Sequence, residues 1–282
     1  FVVVVVVVVV IVNLFVSQSM NYFIPIPDIV QMCHCRIKVR NNNNGCFSYL
    51  LYLEDGVPGT GQEASAKAPF LMAACVKDGS NEVVFHSLET AQLIPKTHNS
   101  AIGVLGSSFW GLDFTASSTA QATGEAQEIT YIQYSSAQVF TSVPRELQAL
   151  ITSFGSPAVT NAKAIFKSKK QASLGLGADR TGGFEAVGGQ DGVDDEDLVH
   201  LENLKPRWNE RIKAYTLNFK GRAKQPSKKN FQLVDAREPE QSVMLLGRMS
   251  QSHYSLDFRH PLSLMQAFAI AMTNFVPKRM VA

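Results

Sequence analysis

The sequence contains little cysteine, with four residues in a chain of 282: Cys33, Cys35, Cys46 and Cys75. So few cysteines in a chain of this length exclude a small disulfide-bonded scaffold and indicate reduced thiols in an intracellular protein. Strand geometry would place Cys33 and Cys35 on one face and His34 on the other. A zinc site needs four suitable ligands, and Cys46 and Cys75 offer no matching pair. We therefore expect ordinary strand cysteines and no metal site.

Motifs of catalysis and cofactor binding are also missing. There is no Gly-x-Ser-x-Gly elbow, Walker loop, Rossmann glycine pattern or His-Glu-x-x-His motif. Gly175 and Gly177 lie in a low-complexity stretch with no predicted strand before them. The six histidines lack the spacing of metal ligands: His34, His86, His98, His200, His253 and His260. We expect a protein that is not an enzyme and that has no cofactor.

The chain has no large excess of charge of either sign, because 26 basic and 24 acidic residues leave a formal net charge of +2. Long-range attraction to polyanions needs a surplus of positive charge. Nucleic acid is therefore an unfavoured partner, and any basic site must be local. The hydrophobic fraction of 45% allows a sizeable core, and the length suits one large domain.

Residues 1–16 are apolar apart from Asn13 and include an unbroken valine run over 2–10. A transmembrane helix takes about 20 apolar residues, and a signal peptide should show a basic start and a small-residue cleavage site. Neither pattern is met. We interpret residues 1–27 as an apolar N-terminal segment from an incomplete or mistranslated gene start, with Met20 as the true beginning. A truncated membrane anchor is the alternative.

From residue 30 to 151, short apolar segments alternate with turn residues, as is typical of an all-β sandwich or barrel. A hairpin turn is predicted at Asp78-Gly79. Residues 47–53 alternate as a half-buried strand, and the same pattern predicts six more strands: Phe70–Val76, Val83–Leu88, Ala101–Leu105, Phe109–Phe114, Ile129–Tyr134 and Leu147–Ile151.

Residues 155–198 interrupt this pattern, because they are rich in Gly, Ala, Ser and Lys and end in an acidic cluster. Low hydrophobicity and blocks of charge predict a disordered insert. We therefore expect one domain over 28–282 that carries this insert. Alternation then resumes, and Tyr215, Leu217 and Phe219 are predicted to form one face of a strand. Three further strands are predicted around Phe231, Val243–Met249 and Tyr254–Phe258.

The period of the pattern changes near the end of the chain. Pro261 can open a helix at its first position. Apolar residues then recur at helical spacing: Leu264, Phe268, Met272 and Phe275. The residues between them are mostly apolar as well, so every face of the middle turns is apolar. Such a helix must be surrounded by protein or lipid. About 14 residues are too few to cross a bilayer comfortably. We predict a helix over 262–275 inside a barrel.

Motifs in the last third occur in a fixed order: Phe219-Lys220-Gly221-Arg222, Ser227-Lys228-Lys229-Asn230-Phe231-Gln232 and Gln266-Ala267-Phe268-Ala269-Ile270. They resemble the signatures of the tubby-like protein family, and fainter similarity extends the resemblance over residues 30–278. The resemblance implies a mainly β fold, a closed antiparallel barrel of about twelve strands that encloses a central hydrophobic C-terminal helix. It also implies binding of phosphorylated inositol lipids, association with intracellular membranes and an adaptor role in trafficking or signalling.

The chain departs from this family where the lipid headgroup would bind. In the family, a dense basic run follows a Phe-Leu-Leu strand, and a Lys-Leu-Arg strand assists it. Here residues 75–82 replace the basic run and keep only Lys77, while Val104, Leu105 and Gly106 occupy the Lys-Leu-Arg positions. A multiply charged phosphate needs several converging donors. The resemblance therefore implies a divergent member with weakened phosphoinositide binding.

The main hypothesis is a non-enzymatic, membrane-associated adaptor that binds phosphoinositides weakly. The candidate lipid-binding cations are Lys77, Arg36, Lys38, Arg222 and Lys229, and an ordinary solvated charge is the alternative for each. Expected partners are a phosphoinositide-containing membrane surface and other proteins, and the chain is expected to be a monomer. The expected location is cytoplasmic and peripheral at the plasma membrane, with the nucleus as a further compartment. Alternative functions are a protein-interaction or transcription-related module that has lost lipid binding, and a scramblase-like lipid protein.

Overall fold

The computed structural model describes residues 22–42, 45–54, 68–90, 92–135, 146–152, 198–211 and 213–276. The predicted insert at 155–198 lies outside these ranges except for Leu198, and the valine run lies wholly outside them. In chain order, the strands are β1 (Cys33–Asn41), β2 (Cys46–Leu53), β3 (Phe70–Lys77), β4 (Glu82–His86), β5 (Ala101–Ser107), β6 (Asp113–Ser118), β7 (Glu128–Tyr134), β8 (Leu147–Thr152), β9 (Leu198–Asn203), β10 (Arg207–Asn209), β11 (Ala214–Thr216), β12 (Phe231–Asp235), β13 (Glu238–Arg248) and β14 (His253–Phe258). The helices are α1 (Ala120–Thr123) and α2 (Leu264–Met272).

Twelve of these strands form one closed antiparallel barrel in the order β1-β14-β13-β12-β9-β8-β7-β6-β5-β4-β3-β2. The barrel closes at β1, where Ile37 lies opposite Leu51 of β2 on one side and Tyr254 of β14 on the other. Closure removes the unpaired strand edges that an open sheet would expose. Strands β10 and β11 form a separate two-stranded sheet. The predicted mainly β fold with a closed antiparallel barrel is confirmed.

Alternating side chains give the barrel wall an inner and an outer face. On β1, Cys33, Cys35 and Ile37 are buried in the core, and the residues between them face outward. The Sγ atoms of Cys33 and Cys35 lie 3.7 Å apart, which confirms the predicted common face. The predicted hairpin at Asp78-Gly79 is also confirmed, because it joins β3 to β4 and Gly79 has a φ of +74°.

The strand predicted over Phe109–Phe114 is wrong in its first half. The N–H of Gly111 donates to the carbonyl of Ser108 at 2.9 Å, which closes a turn, and β6 begins only at Asp113. Apolar residues at the centre of this turn imitate the alternation of a strand, and a sequence pattern does not distinguish the two.

The strand predicted to run from Tyr215 through residues 217–219 is wrong beyond its start. Strand β11 ends at Thr216 and pairs with β10 outside the barrel. Lys220 and Gly221 have φ values of +49° and +78°, which extended strands exclude. The segment that follows β11 is therefore a loop, and it packs on the outer face of the barrel.

The central helix is shorter than the predicted range 262–275. The hydroxyl of Ser263 accepts a hydrogen bond from the Gln266 N–H, and the side chain of Gln266 accepts one from the Ser263 N–H. This capping box starts the helix at Leu264, so Pro261 is not its first residue. After Met272 the N–H groups of Asn274 and Phe275 donate to carbonyls three residues earlier, and the regular helix ends.

Helix α2 lies inside the barrel, and all nine of its residues are buried. The ring of Phe268 packs 5.5 Å from that of Phe85 on β4, measured between centroids. On another side, the amide of Gln266 donates to the carbonyls of Ile129 on β7 and Thr152 on β8, at 3.0 and 2.8 Å. The predicted central hydrophobic helix is confirmed. The amide nitrogen of its one polar side chain, Gln266, donates both of its hydrogen bonds to the barrel wall.

A glycine on β5 makes room for this helix. A Cβ atom at Gly103 would lie 2.4 Å from Cε of Met265 on α2. The orientation of Gly103 toward the helix also decides the outer face of β5, because the next side chain along a strand points the opposite way. Val104 and Gly106 therefore face outward.

The chain before β1 closes the end of the barrel where α2 begins. Phe23 and Ile26 are buried, and the Ile26 N–H donates to the carbonyl of Leu262 at 3.1 Å. Residues from 22 onward therefore pack with the barrel. Within the described ranges, neither helix has the length and apolar character needed to cross a bilayer.

Candidate functional site

The structure separates the five predicted lipid-binding cations into different environments. Arg36 and Lys38 lie on the outer face of β1, and Lys77 is the exposed last residue of β3. Arg222 and Lys229 both lie in the loop between β11 and β12. Only Arg36 and Lys38 are close neighbours on one face, so the five residues do not converge on a single ligand position.

Arg222 is buried, with 7% of its surface exposed. Its Nε and Nη2 atoms donate to the two carboxylate oxygens of Asp257 at 2.7 and 2.6 Å. Nη1 donates to Glu54 at 2.6 Å, and Nη2 also donates to the carbonyl of Cys35 at 3.3 Å. Burial alone lowers the pKa of Arg222, but the charges of Asp257 and Glu54 outweigh it and raise the pKa. Each nitrogen of the guanidinium thus already donates a hydrogen bond within the domain.

The backbone around Arg222 is held against the same wall. The hydroxyl of Ser255 on β14 donates to the carbonyl of Arg222. A Cβ atom at Gly247 on β13 would lie 2.4 Å from that carbonyl oxygen, so only glycine permits this approach. The geometry therefore favours a structural role for Arg222, in which it fastens the loop after β11 onto β13 and β14.

Lys229 contacts the C-terminal end of the central helix. Its Nζ donates to the carbonyl of Asn274, just beyond the last residue of α2, and lies 4.8 Å from the centroid of the Phe275 ring. A cation is favourable at a helix C-terminus, where carbonyl groups lack partners. Burial lowers the pKa of Lys229, and the charge of Arg248 lowers it further. This lysine therefore caps α2.

The outer face of β1 carries a row of cations that we call the basic strip: Arg36, Lys38 and Arg40. All three are partly exposed; Arg36 lies between the buried Cys35 and Ile37, and the partly buried Val39 separates Lys38 from Arg40. Lys38 lies opposite His253 of β14, and burial together with the charges of Arg36 and Lys38 lowers the pKa of His253. Among the described residues, none forms an ion pair with any member of the strip.

The wall formed by β3 to β6, where the family resemblance places the lipid headgroup, has few cations. Gly106 faces outward with open space around it and lies opposite Glu82 of β4. Glu82 forms an ion pair with Lys96 at 3.1 Å, while Lys77 lies at the nearby end of β3. Val104 supplies no charge. Among the cations that the structure describes on this wall, Lys96 already forms an ion pair with Glu82.

A depression of ≈ 270 Å³ lies on this wall, lined by Gly106, Ser107, Ser108, Asp113, Thr115 and Tyr131. Its charged group is the carboxylate of Asp113, which accepts hydrogen bonds from the Tyr131 hydroxyl at 2.5 Å and the Gln133 amide at 3.0 Å. A carboxylate repels phosphate. The depression is therefore unsuited to an anionic headgroup.

A buried polar cluster lies on the outer face of β2 to β4 and contacts Gln92 in the segment after β4. The Sγ of Cys75 lies 3.3 Å from Nε2 of His86 and 3.4 Å from the hydroxyl of Ser48, and it donates to the carbonyl of Gln92 at 3.1 Å. Burial raises the pKa of the Cys75 thiol and lowers the pKa of His86 to about 4. Both groups are thus neutral near pH 7, whereas a catalytic Cys–His pair needs the thiolate.

The buried His86 makes the stability of the domain depend on pH. Its pKa is about 4 in the folded chain and about 6.5 in the unfolded chain, so the unfolded chain binds the additional proton between these values. The stabilisation is present above pH 6.5 and is lost as the pH falls toward 4. We expect the unfolding free energy to fall by about 2–3 kcal/mol over this window, measured by urea denaturation.

His86→Gln is expected to remove this part of the pH dependence. His260→Gln, at an exposed position, is the matched control for the loss of an imidazole. Equal slopes for the wild type and His86→Gln would contradict the prediction.

Sequence reasoning missed several residues that define these surfaces. Arg40 extends the basic strip, and its position two residues beyond Lys38 was the available signal. The partners of Arg222, Asp257 and Glu54, gave no local signal because they lie 35 and 168 residues away in the chain. In the part of the chain that the structure describes, no group of three or more His, Cys, Asp or Glu residues could hold a metal ion.

Comparison with known proteins agrees with the barrel. The model of the Tub family matches residues 23–276. Tubby protein homolog 1 of Caenorhabditis briggsae is 49% identical over 82 residues. Tubby-related protein 1 of Mus musculus and Protein king tubby of Drosophila sechellia are each 49% identical over 80 residues. These stretches cover 28–29% of this chain and 15–19% of the relatives, so the match spans less than a fifth of their length.

Proposed function

This chain belongs to the Tub family, and on that premise we propose that it is a membrane-associated adaptor domain with weak, poorly selective affinity for phosphorylated inositol lipids. Proteins of this family are generally non-enzymatic, and the proposed role is binding without catalysis. The proposed site of action is the cytoplasmic face of the plasma membrane, where the domain would meet anionic lipids and protein partners.

The observation that carries the proposal is the charge of the wall formed by β3 to β6. A phosphorylated headgroup needs several converging charge-assisted hydrogen bonds, each worth about 1.5–3 kcal/mol. The wall offers Lys77 and the Glu82-paired Lys96, and it also presents the carboxylate of Asp113. Every 1.4 kcal/mol is about tenfold in affinity. Loss of two or three such bonds turns a selective site into one too weak to hold the protein on a membrane.

The basic strip supplies a different kind of attraction. Side chains two residues apart on one face of a strand are spaced by about 7 Å. Arg36, Lys38 and Arg40 therefore form a row on a convex wall and not a pocket around one phosphate. Near an anionic membrane each such cation contributes about 1 kcal/mol to the binding free energy. Added salt weakens this attraction, because at about 0.1 M ionic strength charges farther apart than about 10 Å are screened from each other. The strip suits a diffuse anionic surface.

The proposal is tested by cosedimentation with two kinds of phosphatidylcholine vesicle. One contains phosphatidylserine and the other a bisphosphorylated inositol lipid, at equal total lipid charge. We expect similar binding to both and a large loss of that binding when salt is added, because the strip senses charge density and not headgroup structure.

The triple variant Arg36→Gln, Lys38→Gln, Arg40→Gln is expected to lose most of the charge-dependent binding. A matched control removes three exposed cations elsewhere, at Arg207, Lys213 and Arg237, and is expected to bind like the wild type. Salt-resistant binding that is selective for the bisphosphorylated lipid would overturn the proposed function.

A further inference from the structure

The turn between β5 and β6 carries two aromatic residues at its centre. The N–H of Gly111 donates to the carbonyl of Ser108 at 2.9 Å, so Phe109 and Trp110 occupy the two central positions of a β-turn. Gly111 follows with a φ of +68°, and the Ser108 N–H donates to the carbonyl of Asp113 at 2.8 Å. We call residues 108–111 the aromatic turn. Its backbone is held by hydrogen bonds at both ends.

More than half of the surface of each of these two side chains is exposed to solvent. Phe109 is 61% exposed and Trp110 is 52% exposed, and their ring centroids lie 5.1 Å apart in an edge-to-face arrangement. The centre of a tight turn normally holds Gly, Pro, Asn, Asp or Ser, whose backbone or side chain favours the turn. The turn itself does not require two large apolar side chains at these positions, and their exposure points to a binding role.

The aromatic turn lies at the same end of the barrel as two cations. Strands β1, β3 and β5 run in the same direction because each is antiparallel to the strand between them. Arg40 near the end of β1 and Lys77 at the end of β3 therefore share this end with the aromatic turn. The Ser107 N–H donates to the carbonyl of Asn81 at 2.9 Å, which joins the aromatic turn to the β3–β4 hairpin.

We propose that Phe109 and Trp110 insert into the interfacial region of a lipid bilayer and anchor this end of the barrel on the membrane. The inference rests on the proposed function, because it names the part of the domain that enters the lipid. Tryptophan and phenylalanine are favourable at the level of the headgroups, where an apolar ring meets a partly hydrated environment. Arg40 and Lys77 face the anionic headgroups beside the anchor.

The size and shape of this surface favour lipid over a protein partner. Two aromatic side chains supply at most about 150–250 Å² each, whereas a stable protein interface needs about 800 Å² from each partner. The depression of ≈ 270 Å³ beside the turn is lined by polar residues such as Ser108 and Asp113, so it is not an apolar groove for a protein partner. A bilayer needs no such complementarity, because its interior adapts to an inserted side chain.

The chain contains two tryptophans, which allows Trp110 to be observed alone. In Trp208→Phe the remaining tryptophan is Trp110, and in Trp110→Phe it is Trp208 of the separate β10–β11 sheet. With phosphatidylcholine–phosphatidylserine vesicles, we expect the emission of Trp110 to shift to shorter wavelength. Lipids brominated at a shallow chain position are expected to quench it more than lipids brominated deep in the chain. The emission of Trp208 is expected to stay unchanged.

The double variant Phe109→Ser, Trp110→Ser is expected to bind these vesicles about ten- to a hundredfold more weakly, because two apolar rings no longer leave water. Its thermal unfolding is expected to match the wild type, since both side chains are exposed. The triple variant of the basic strip is expected to retain the quenching of Trp110 at saturating lipid.

Three outcomes would overturn the inference, and they have different meanings. Vesicle binding without a shift or quenching of Trp110 would leave the proposed function standing and refute the anchor. No cosedimentation of the wild type would refute both. A wild-type dimer that becomes a monomer in the double variant would identify a second copy of the chain as the occupant of the aromatic turn.

Discussion

Phe268→Ala is expected to lower the free energy of unfolding by about 3–5 kcal/mol, the range typical of a large aromatic residue removed from a core. Phe268 has no exposed surface and packs against Phe85 inside the barrel. A closed wall of hydrogen-bonded strands cannot collapse onto the space that the ring leaves, so the cavity persists. The measurement is equilibrium denaturation in urea, followed by circular dichroism.

The exposed Phe109 provides a matched control for this prediction. Phe109→Ala removes the same atoms from a side chain that is 61% exposed, and it is expected to change stability by less than about 0.5 kcal/mol. A loss below about 1 kcal/mol for Phe268→Ala would mean that the helix is not enclosed by the barrel.

Arg222→Met is expected to destabilise the domain by a similar amount, about 3–5 kcal/mol. The substitution keeps the volume of the side chain but leaves the carboxylates of Asp257 and Glu54 without their shared cation. Asp257 is buried, with 3% exposure, so its charge is poorly compensated by water.

The exposed pair of Arg237 and Asp235 offers the comparison. Arg237→Met removes an ion pair of 2.9 Å whose arginine is 59% exposed, and such pairs contribute about 0–1 kcal/mol. If Arg222→Met is as stable as Arg237→Met but loses vesicle binding, then Arg222 is a lipid-binding residue and the structural role assigned to it is wrong.

Local sequence patterns were sufficient for the type of most elements and insufficient for some of their ends. Strand alternation placed Cys33 and Cys35 on one face, and both side chains do point into the core. The same rule failed at Phe109 and Trp110, where apolar residues occupy a turn for a reason unrelated to the core. The start of α2 was misplaced at Pro261 because the capping box of Ser263 and Gln266 sets it.

The candidate site was less predictable than the fold because the role of a cation depends on what surrounds it. Arg222 and Lys229 belong to a recognisable motif, yet one fastens a loop through Asp257 and the other caps α2 through Asn274. In the sequence, nothing distinguishes Arg36 and Lys38 from these two residues as candidate lipid-binding cations. Partial exposure on one strand face is what distinguishes them in the structure.

The periods of apolar residues are local properties of the chain, so they were enough to indicate short strands and a buried helix. The ordered motifs carried the family resemblance, and the closed barrel was implied by that resemblance. The tertiary structure alone decided which charges are free to meet a ligand. Ion pairs such as that of Arg222 with Glu54, 168 residues apart, form only when the barrel closes and brings distant strands together. Burial and pairing arise at that step, and they separate a cation that holds the wall from one that faces the solvent.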